Sequence, residues 1–320
     1  MTDITRTEPN QASTAPLADI GIAARAAWLY YADGLTQAQV ASRLFVSRQT
    51  VGRLLETARE QGIVRIEFDT HYLSALRTTT RLANQLGLED VIVVPDDGGH
   101  DPVEKRLAVA AASYIRRFLH PGVIVGVGWG ATVAGTLSQI PNESLAGVTF
   151  ASTAGGITSI TEALKQNATI AAHLKLLPAP VLVSTAELAT QLNAEKAVRE
   201  VLDLALQASV TLTSVGNAIP ASASSVRNAL VTAEEVQAFA DLGGVGDMIG
   251  EWFDAQGQVV HEATSARRIG LTMAQMRELP HVVCVAGGLD KTAAIRGAIA
   301  GGIVDVLITD EATATALLTE

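Results

Sequence analysis

One cysteine, Cys284, is the only thiol in this 320-residue chain, so no internal disulfide can form and zinc sites built from cysteine clusters are excluded. It lies inside the apolar run HVVCVAGG, which reads as a buried strand thiol. Long hydrophobic runs are also missing. No stretch reaches the roughly 18 to 20 residues that span a bilayer, and the opening MTDITRTEPNQAST has no apolar signal core. A cytoplasmic protein with no membrane partner is expected. The six histidines have no HxxxH spacing and no neighbouring acid cluster, so neither a metal nor a cofactor is expected. GxSxG and GxxxxGK[ST] are absent, and Gly126, Gly128 and Gly130 do not fit GxGxxG, which disfavours serine-triad, P-loop and dinucleotide chemistry.

Charge is scarce, at 18% of residues, and its net value is -10. Taken whole, that balance argues against nucleic acid, but its distribution matters more. Residues 43–65 hold five arginines, at 43, 48, 53, 59 and 65, against Glu56 and Glu60. A basic segment sits inside an acidic protein.

That segment belongs to LTQAQVASRLFVSRQTVGRLL, residues 35–55. An apolar helix precedes it, with Ile22, Ala26, Leu29 and Tyr30 at helical spacing and Gly34 as its stop. Thr36 and Gln39 have the form of a capping box, followed by Val40, Ala41 and Leu44 on one face. Ser47 is a second N-cap, followed by Val51, Leu54, Leu55 and Ala58. Two short helices about three residues apart describe a helix-turn-helix. Arg48, Gln49, Thr50 and Arg53 lie away from the second apolar stripe, where Arg and Gln can pair with base edges. Thr36, Gln37, Ser47 and Thr50 complete the candidate contacts to double-stranded operator DNA, the hydroxyls suiting phosphate oxygens. The competing reading is an ordinary helical hairpin with a solvated face. Phe45 occupies the turn position where a left-handed glycine is usual; either the turn has another geometry or Phe45 fills a space against the first helix.

A short strand over IVRIEFDT, residues 63–70, and a connecting helix carrying Leu73, Leu76, Leu82 and Leu86 are expected next. From residue 90 apolar runs alternate with helical stretches: VIVVP, VIVGVGWG, VTFAST, VLVST, VTLTSVG, VVCVAGG and VDVLITD. This pattern predicts an α/β fold in which an N-terminal helix-turn-helix precedes a Rossmann-like, mostly parallel sheet. The domains expected are a flexible tail over 1–18, a DNA-binding domain over 19–70, a connecting helix over 71–88 and an effector-binding domain over 89–320.

Ligands in such folds collect at the carboxyl ends of the strands. There stand Gly128, Trp129, Gly130, Ala131 and Thr132, then Ser152, Thr153, Gly155 and Gly156, then Ser214 and Gly216, and finally Asp290 with Lys291, one of only five lysines. Glycines, hydroxyls and a lysine suit a phosphate-bearing small molecule. In GVGDMIGEWFDAQG, Asp247 reads as part of a glycine-rich turn before a strand over 248–253, with a hairpin turn over 254–257. Asp247 either contacts the ligand or caps locally, whereas Asp254 serves its turn.

The runs WLYYADGLTQAQVASRLFVSRQTVGRLLETAREQGIV, VGVGWGATV, GDMIGEWFDAQG, RRIGLTM and VAGGLDKTAAIRGAIAGGIVDVLITDEATATALL resemble the SorC/DeoR-type family of bacterial transcriptional regulators, in the family's order over about residues 20 to 318. The resemblance implies a helix-turn-helix joined to a sugar-binding domain related to sugar-phosphate isomerases, glucosamine-phosphate deaminases and CoA transferases. It also implies a homo-oligomer, dimer or tetramer, whose operator binding answers to a phosphorylated sugar or polyol. Carried over by motif, residues 128–132 with Lys291 would hold the phosphate, and Gly155, Gly156 and Asp247 the sugar end. Phe45 and Ala131 depart from the family pattern. The function expected is regulation, in the sense of a repressor of a carbohydrate or polyol catabolic operon, without catalysis. The alternative, an isomerase- or deaminase-like enzyme, needs a base, for which Asp247 and Asp290 are the available carboxylates.

Overall fold

The computed structural model describes residues 17–65, 70–156 and 168–319. Its contacts divide the chain into two compact units, residues 1–69 and 70–320. The tail expected over 1–18 lies outside the described residues except at 17 and 18, which are helical; of the strand expected over 63–70, residues 66–69 lie outside them, 63–65 form no strand and Thr70 begins a helix.

In the first unit α1 (Leu17–Ala27) runs into a π-helical turn (Trp28–Ala32) and stops before Gly34, at φ +69°. α2 (Gln37–Leu44) and α3 (Arg48–Glu60) follow. Ala23, Ala26, Ala27 and Leu29 pack with Val40, Ala41, Val51, Leu55 and Ala58. The expected stripe of α1 is shifted, because Ile22 is exposed and Ala23 takes its place inside. Small alanines let α3 approach α1 closely, and an isoleucine at that contact would hold the helices apart.

The second unit is a seven-stranded parallel sheet with an antiparallel ribbon. The strands are β1 (Asp90–Val94), β2 (Ile124–Val127), β3 (Thr149–Ser152), β4 (Leu174–Lys175), β5 (Val210–Thr213), β6 (Gly216–Asn217), β7 (Gly244–Met248), β8 (Glu251–Asp254), β9 (Val282–Val285) and β10 (Val306–Asp310). Their order in the sheet is β1-β10-β9-β5-β2-β3-β4, and β6, β7 and β8 form the ribbon. α4 (Thr70–Leu86) packs on β1, with Leu82 fully buried. Both faces of the sheet are covered. On β9, Val283 and Val285 face the cluster built with α5 (Val103–Ile115) and α6 (Ala131–Ser138), while Val282 and Cys284 face helices Thr292–Ala300 and Glu311–Thr319. Burial on two sides is why these strands read as unbroken apolar runs, each such side chain contributing about 1.5 to 3 kcal/mol. Burial also pushes the Cys284 thiol up to about 12.

Two expectations are corrected. VLVST is not a strand of the sheet, since residues 180–183 make only isolated bridges and Val181 accepts from the Ile269 N–H. Its backbone pairs instead with residues 267–269, the Val183 N–H donating to Arg267 O (3.0 Å), and the edge of the sheet is the two-residue β4. Asp247 lies in strand β7, opposite Gly216 and Trp252, and the turn is at Ile249 and Gly250. The sequence pattern placed that strand over 248–253 because Gly244 and Gly246 look like turn residues. They are strand residues, and at Gly246 a Cβ would come within 2.4 Å of Ala294.

Candidate functional site

In the helix-turn-helix, Thr36 caps α2, its Oγ1 accepting from Gln39 N (3.3 Å) while the Thr36 N–H donates to Gln39 Oε1 (2.9 Å). Ser47 caps α3, accepting from Thr50 N at 3.0 Å, with the two hydroxyls 2.8 Å apart. Both caps satisfy N–H groups that a helix start leaves unpaired. Arg48, Gln49 and Arg53 are exposed, and Val51, Leu55 and Ala58 are buried. Arg48, Thr36 and Gln37 line one cleft together with Tyr30, read from sequence only as part of an apolar stripe, and Tyr31, which the sequence pattern did not single out. Phe45 follows neither expected course. It adopts the left-handed conformation (φ 56°, ψ 41°) and is 94% exposed, filling no space. Its N–H closes the end of α2 against the Ala41 and Ser42 carbonyls, so the capping geometry persists without glycine.

The second site follows from sheet order. From β2 the chain winds outward through β3 to β4, whereas β5, β9 and β10 lead to the other edge. The loops after β2 and β5 therefore diverge, and a crevice opens between them, as at the switch points of doubly wound sheets. Trp129, Gly130, Ala131 and Thr132 from the β2 end, Ser214, Val215 and Gly216 from the β5 end, Asp247 and Ile249 from the ribbon, and Lys291 line this cavity. Glu104, Ser224 and Arg227 complete it and continue into a wider outer lobe of about 340 Å³.

Six of the nine effector positions read from sequence thus meet in one place. Gly128, Gly155 and Gly156 are not in its wall among the described residues. At Gly128 a Cβ would lie 2.7 Å from Thr213 Oγ1, and at Gly126 likewise 2.5 Å from Thr211 Oγ1, so packing alone requires glycine at both. Gly155 is pressed against the backbone, its N–H donating to Ile269 O and its Cβ position 2.3 Å from Pro180 O. Ser214 and Gly216 were visible as a strand end. Glu104 and Arg227 carried no local signal, because they arrive from helices distant in sequence.

Asp247 is 4% exposed. Burial pushes its carboxyl up to about 7, against the opposing pull of Lys291 and the Gly250 backbone N–H. Asp290 is engaged, its Oδ2 accepting from Asn217 Nδ2 at 2.6 Å. The adjacent turn is unusual, with φ of +49° at Ile249 and +82° at Gly250. A β-branched residue is disfavoured there. Arg268 holds it, donating from Nη1 to Ile249 O (3.1 Å) and from Nη2 to Leu271 O (2.5 Å). Glu251 Oε1 lies 3.6 Å from Nη2, and Glu251 also accepts from the Met273 N–H. Burial lowers the Arg268 pKa while Glu251 raises it.

A capped helix-turn-helix on one chain with a doubly wound domain, which opens a cleft with polar and charged lining at its switch point, is the architecture of a ligand-binding transcriptional regulator. Residues 70–319 match the sugar-binding domain family, Sugar-bind, and residues 26–71 match the MarR family. The chain is 33% identical over 319 residues to the transcriptional regulator LsrR of Klebsiella pneumoniae, covering 98% of this chain and 97% of that protein. It is 32% identical over 311 residues to the erythritol catabolism regulatory protein EryD of Brucella abortus, covering 94% and 97%. The crystal structure of the full-length sorbitol operon regulator SorC from Klebsiella pneumoniae matches with a TM-score of 0.69 at 26% identity, over 94% of this chain and all of that one. The chain belongs to the SorC/DeoR-type family of transcriptional regulators that carry this sugar-binding domain. No described helix is long and apolar enough to cross a membrane.

Proposed function

We propose that this cytoplasmic protein is the repressor of a carbohydrate or polyol catabolic operon, released from its operator by a phosphorylated sugar or polyol bound in the switch-point cleft. The observation that carries the effector half is the meeting of Lys291, the start of α6 and buried Asp247 in one cavity. A cation and a helix start suit an anionic group, and a carboxylate suits hydroxyls. The names of two relatives, an erythritol catabolism regulatory protein and a sorbitol operon regulator, favour a polyol. Arg48, Gln49 and Arg53 read base edges from exposed positions on α3, while Thr36, Gln37, Ser47 and Thr50 serve the backbone. A dimer or tetramer presents two such helices, and the effector changes their spacing, coupling the two sites.

The test is a gel-shift series with DNA from upstream of the adjacent genes, with and without polyol and sugar phosphates. Retardation that a phosphorylated compound relieves is expected; no retardation of any upstream fragment sinks the reading. One observation favours the enzyme alternative, because a cavity carboxyl near pKa 7 is poised as a general base would be. Turnover of sugar phosphates at enzyme-like rates would decide for it.

A further inference from the structure

The hairpin that joins β7 to β8 is built against its sequence. Met248 pairs with Glu251, so Ile249 and Gly250 are its two central residues, and both hold left-handed backbone. That turn favours Asn-Gly, and a β-branched first residue suits it badly. The Ile249 side chain nevertheless lines the cavity, and the residue is only 2% exposed. Strain of this kind persists where surrounding contacts over-determine the backbone.

Arg268 makes that contact. Its guanidinium bonds two backbone carbonyls, Nη1 donating to Ile249 O and Nη2 to Leu271 O. As an ion pair the arrangement is poor. The Arg268 and Glu251 side chains are both buried and approach at 3.6 Å, and Arg268 Nε has no hydrogen-bond partner among the described residues. Charges buried with incomplete pairing are weak stabilisers. What a planar fork does well is fix two acceptors relative to each other. The far end of this link is itself anchored, because the Leu271 N–H donates to Thr153 O (2.8 Å) and Ile269 O accepts from the Gly155 N–H (3.0 Å). Residues 269–271 are thus fixed to the end of β3, the neighbour of β2, and the loop after β2 lines the same cavity. Glu251 braces the fork and accepts from the Met273 N–H.

Resting on the reading of this cavity as the effector site, we infer that Arg268 is a positioning residue for effector binding: its fork ties the Ile249 carbonyl to the segment at the end of β3 and so keeps the Ile249 side chain, on left-handed backbone, in the cavity wall. Arg268 is not itself in that wall among the described residues. Without the fork Ile249 relaxes to negative φ, its peptide turns, and the wall loses the surface on which the effector rests.

A double-mutant cycle on the full chain, read by isothermal calorimetry, tests this. Erythritol 4-phosphate, sorbitol 6-phosphate, ribose 5-phosphate and glucose 6-phosphate are titrated into wild type first. The tightest binder is then carried through Arg268→Lys, which keeps the charge and loses the fork, through Ile249→Gly and Ile249→Ala, and through each of these combined with Arg268→Lys. Circular dichroism checks that every variant folds. Glycine and alanine empty nearly the same space, but only glycine is at ease on left-handed backbone. Arg268→Lys is expected to weaken binding by about tenfold in wild type and in Ile249→Ala, the factor that matches the left-handed penalty of a residue with a side chain. In Ile249→Gly the loss should shrink to about twofold or less, because no strain is left to hold. A residue that only supports the fold would lose the same factor in all three backgrounds, and that result overturns the inference. If Arg268→Lys does not fold, Arg268→Gln, whose donors sit on one nitrogen instead of a fork, carries the same cycle. Should none of the four phosphates bind, the effector reading falls and the inference with it, whereas binding with equal losses sinks the inference alone.

Discussion

Gly216 of β6 stands directly opposite Asp247 of β7, and a Cβ on that glycine would come 2.2 Å from the Asp247 Oδ1. The carboxylate thus occupies space that no other residue at 216 would leave. Gly216→Ala is expected to displace it, costing about 1 to 3 kcal/mol of stability through overpacking and weakening effector binding at least as much as Asp247→Asn does. Thermal unfolding and calorimetric titration would show this, and an alanine tolerated without change in either would put the carboxylate elsewhere.

Stability should depend on pH through Asp247. Below the usual carboxyl range both folded and unfolded chains hold its proton, and it contributes nothing. As pH rises from about 4, the unfolded chain releases the proton while the folded one keeps it until about 7, so stability falls through that window. The penalty reaches on the order of 4 kcal/mol above pH 7. Asp247→Asn removes it, so urea midpoints of the variant should exceed wild type increasingly from pH 5 to pH 8. Parallel profiles would show that the carboxyl titrates normally.

Phe45→Gly should stabilise the N-terminal unit. Left-handed backbone costs a bulky residue about 1 to 2 kcal/mol, glycine returns about 0.5 to 1 kcal/mol of that as entropy, and an exposed ring gives up no burial. A net gain of about 0.5 to 1 kcal/mol, read by differential scanning calorimetry of the full chain, is the expected result. A loss would mean that the ring has a contact to lose.

Arg48→Ala or Gln49→Ala should cost about 1 to 3 kcal/mol of discrimination between operator and altered operator, with effector binding unchanged. Competition binding with single-base variants measures it. Unaltered preference would remove these two side chains from the base edges.

Lys291→Ala should weaken a phosphorylated polyol by about 1.5 to 3 kcal/mol, the value of a charge-assisted hydrogen bond, and its unphosphorylated counterpart far less. Equal losses for the pair would move the anion to another group, Arg227 being the next cation in the wall.

Local patterns in the chain were enough to write most of the architecture. Caps at Thr36 and Ser47, the stop at Gly34 and the apolar runs of β1, β2, β3, β5, β9 and β10 all act over a few residues, and the structure keeps them. Where neighbours in space decide, the local pattern misled. Gly244 and Gly246 look like turn residues and are strand, because Phe239 and Ala294 crowd their Cβ positions. Gly128 and Gly155, which read as ligand loops, have their Cβ positions crowded in the same way, by Thr213 and by the Pro180 backbone.

Helix caps, strand runs and the basic α3 were determined by the sequence itself, because capping, periodicity and charge are properties of adjacent residues. Only tertiary structure decided that Glu104 and Arg227 join Trp129, Asp247 and Lys291 in one cavity, and that Asp247 is buried deeply enough to hold a proton near neutrality. Burial and charge pairing depend on which strands become neighbours, and the order β9-β5-β2-β3 is set by packing across the whole sheet.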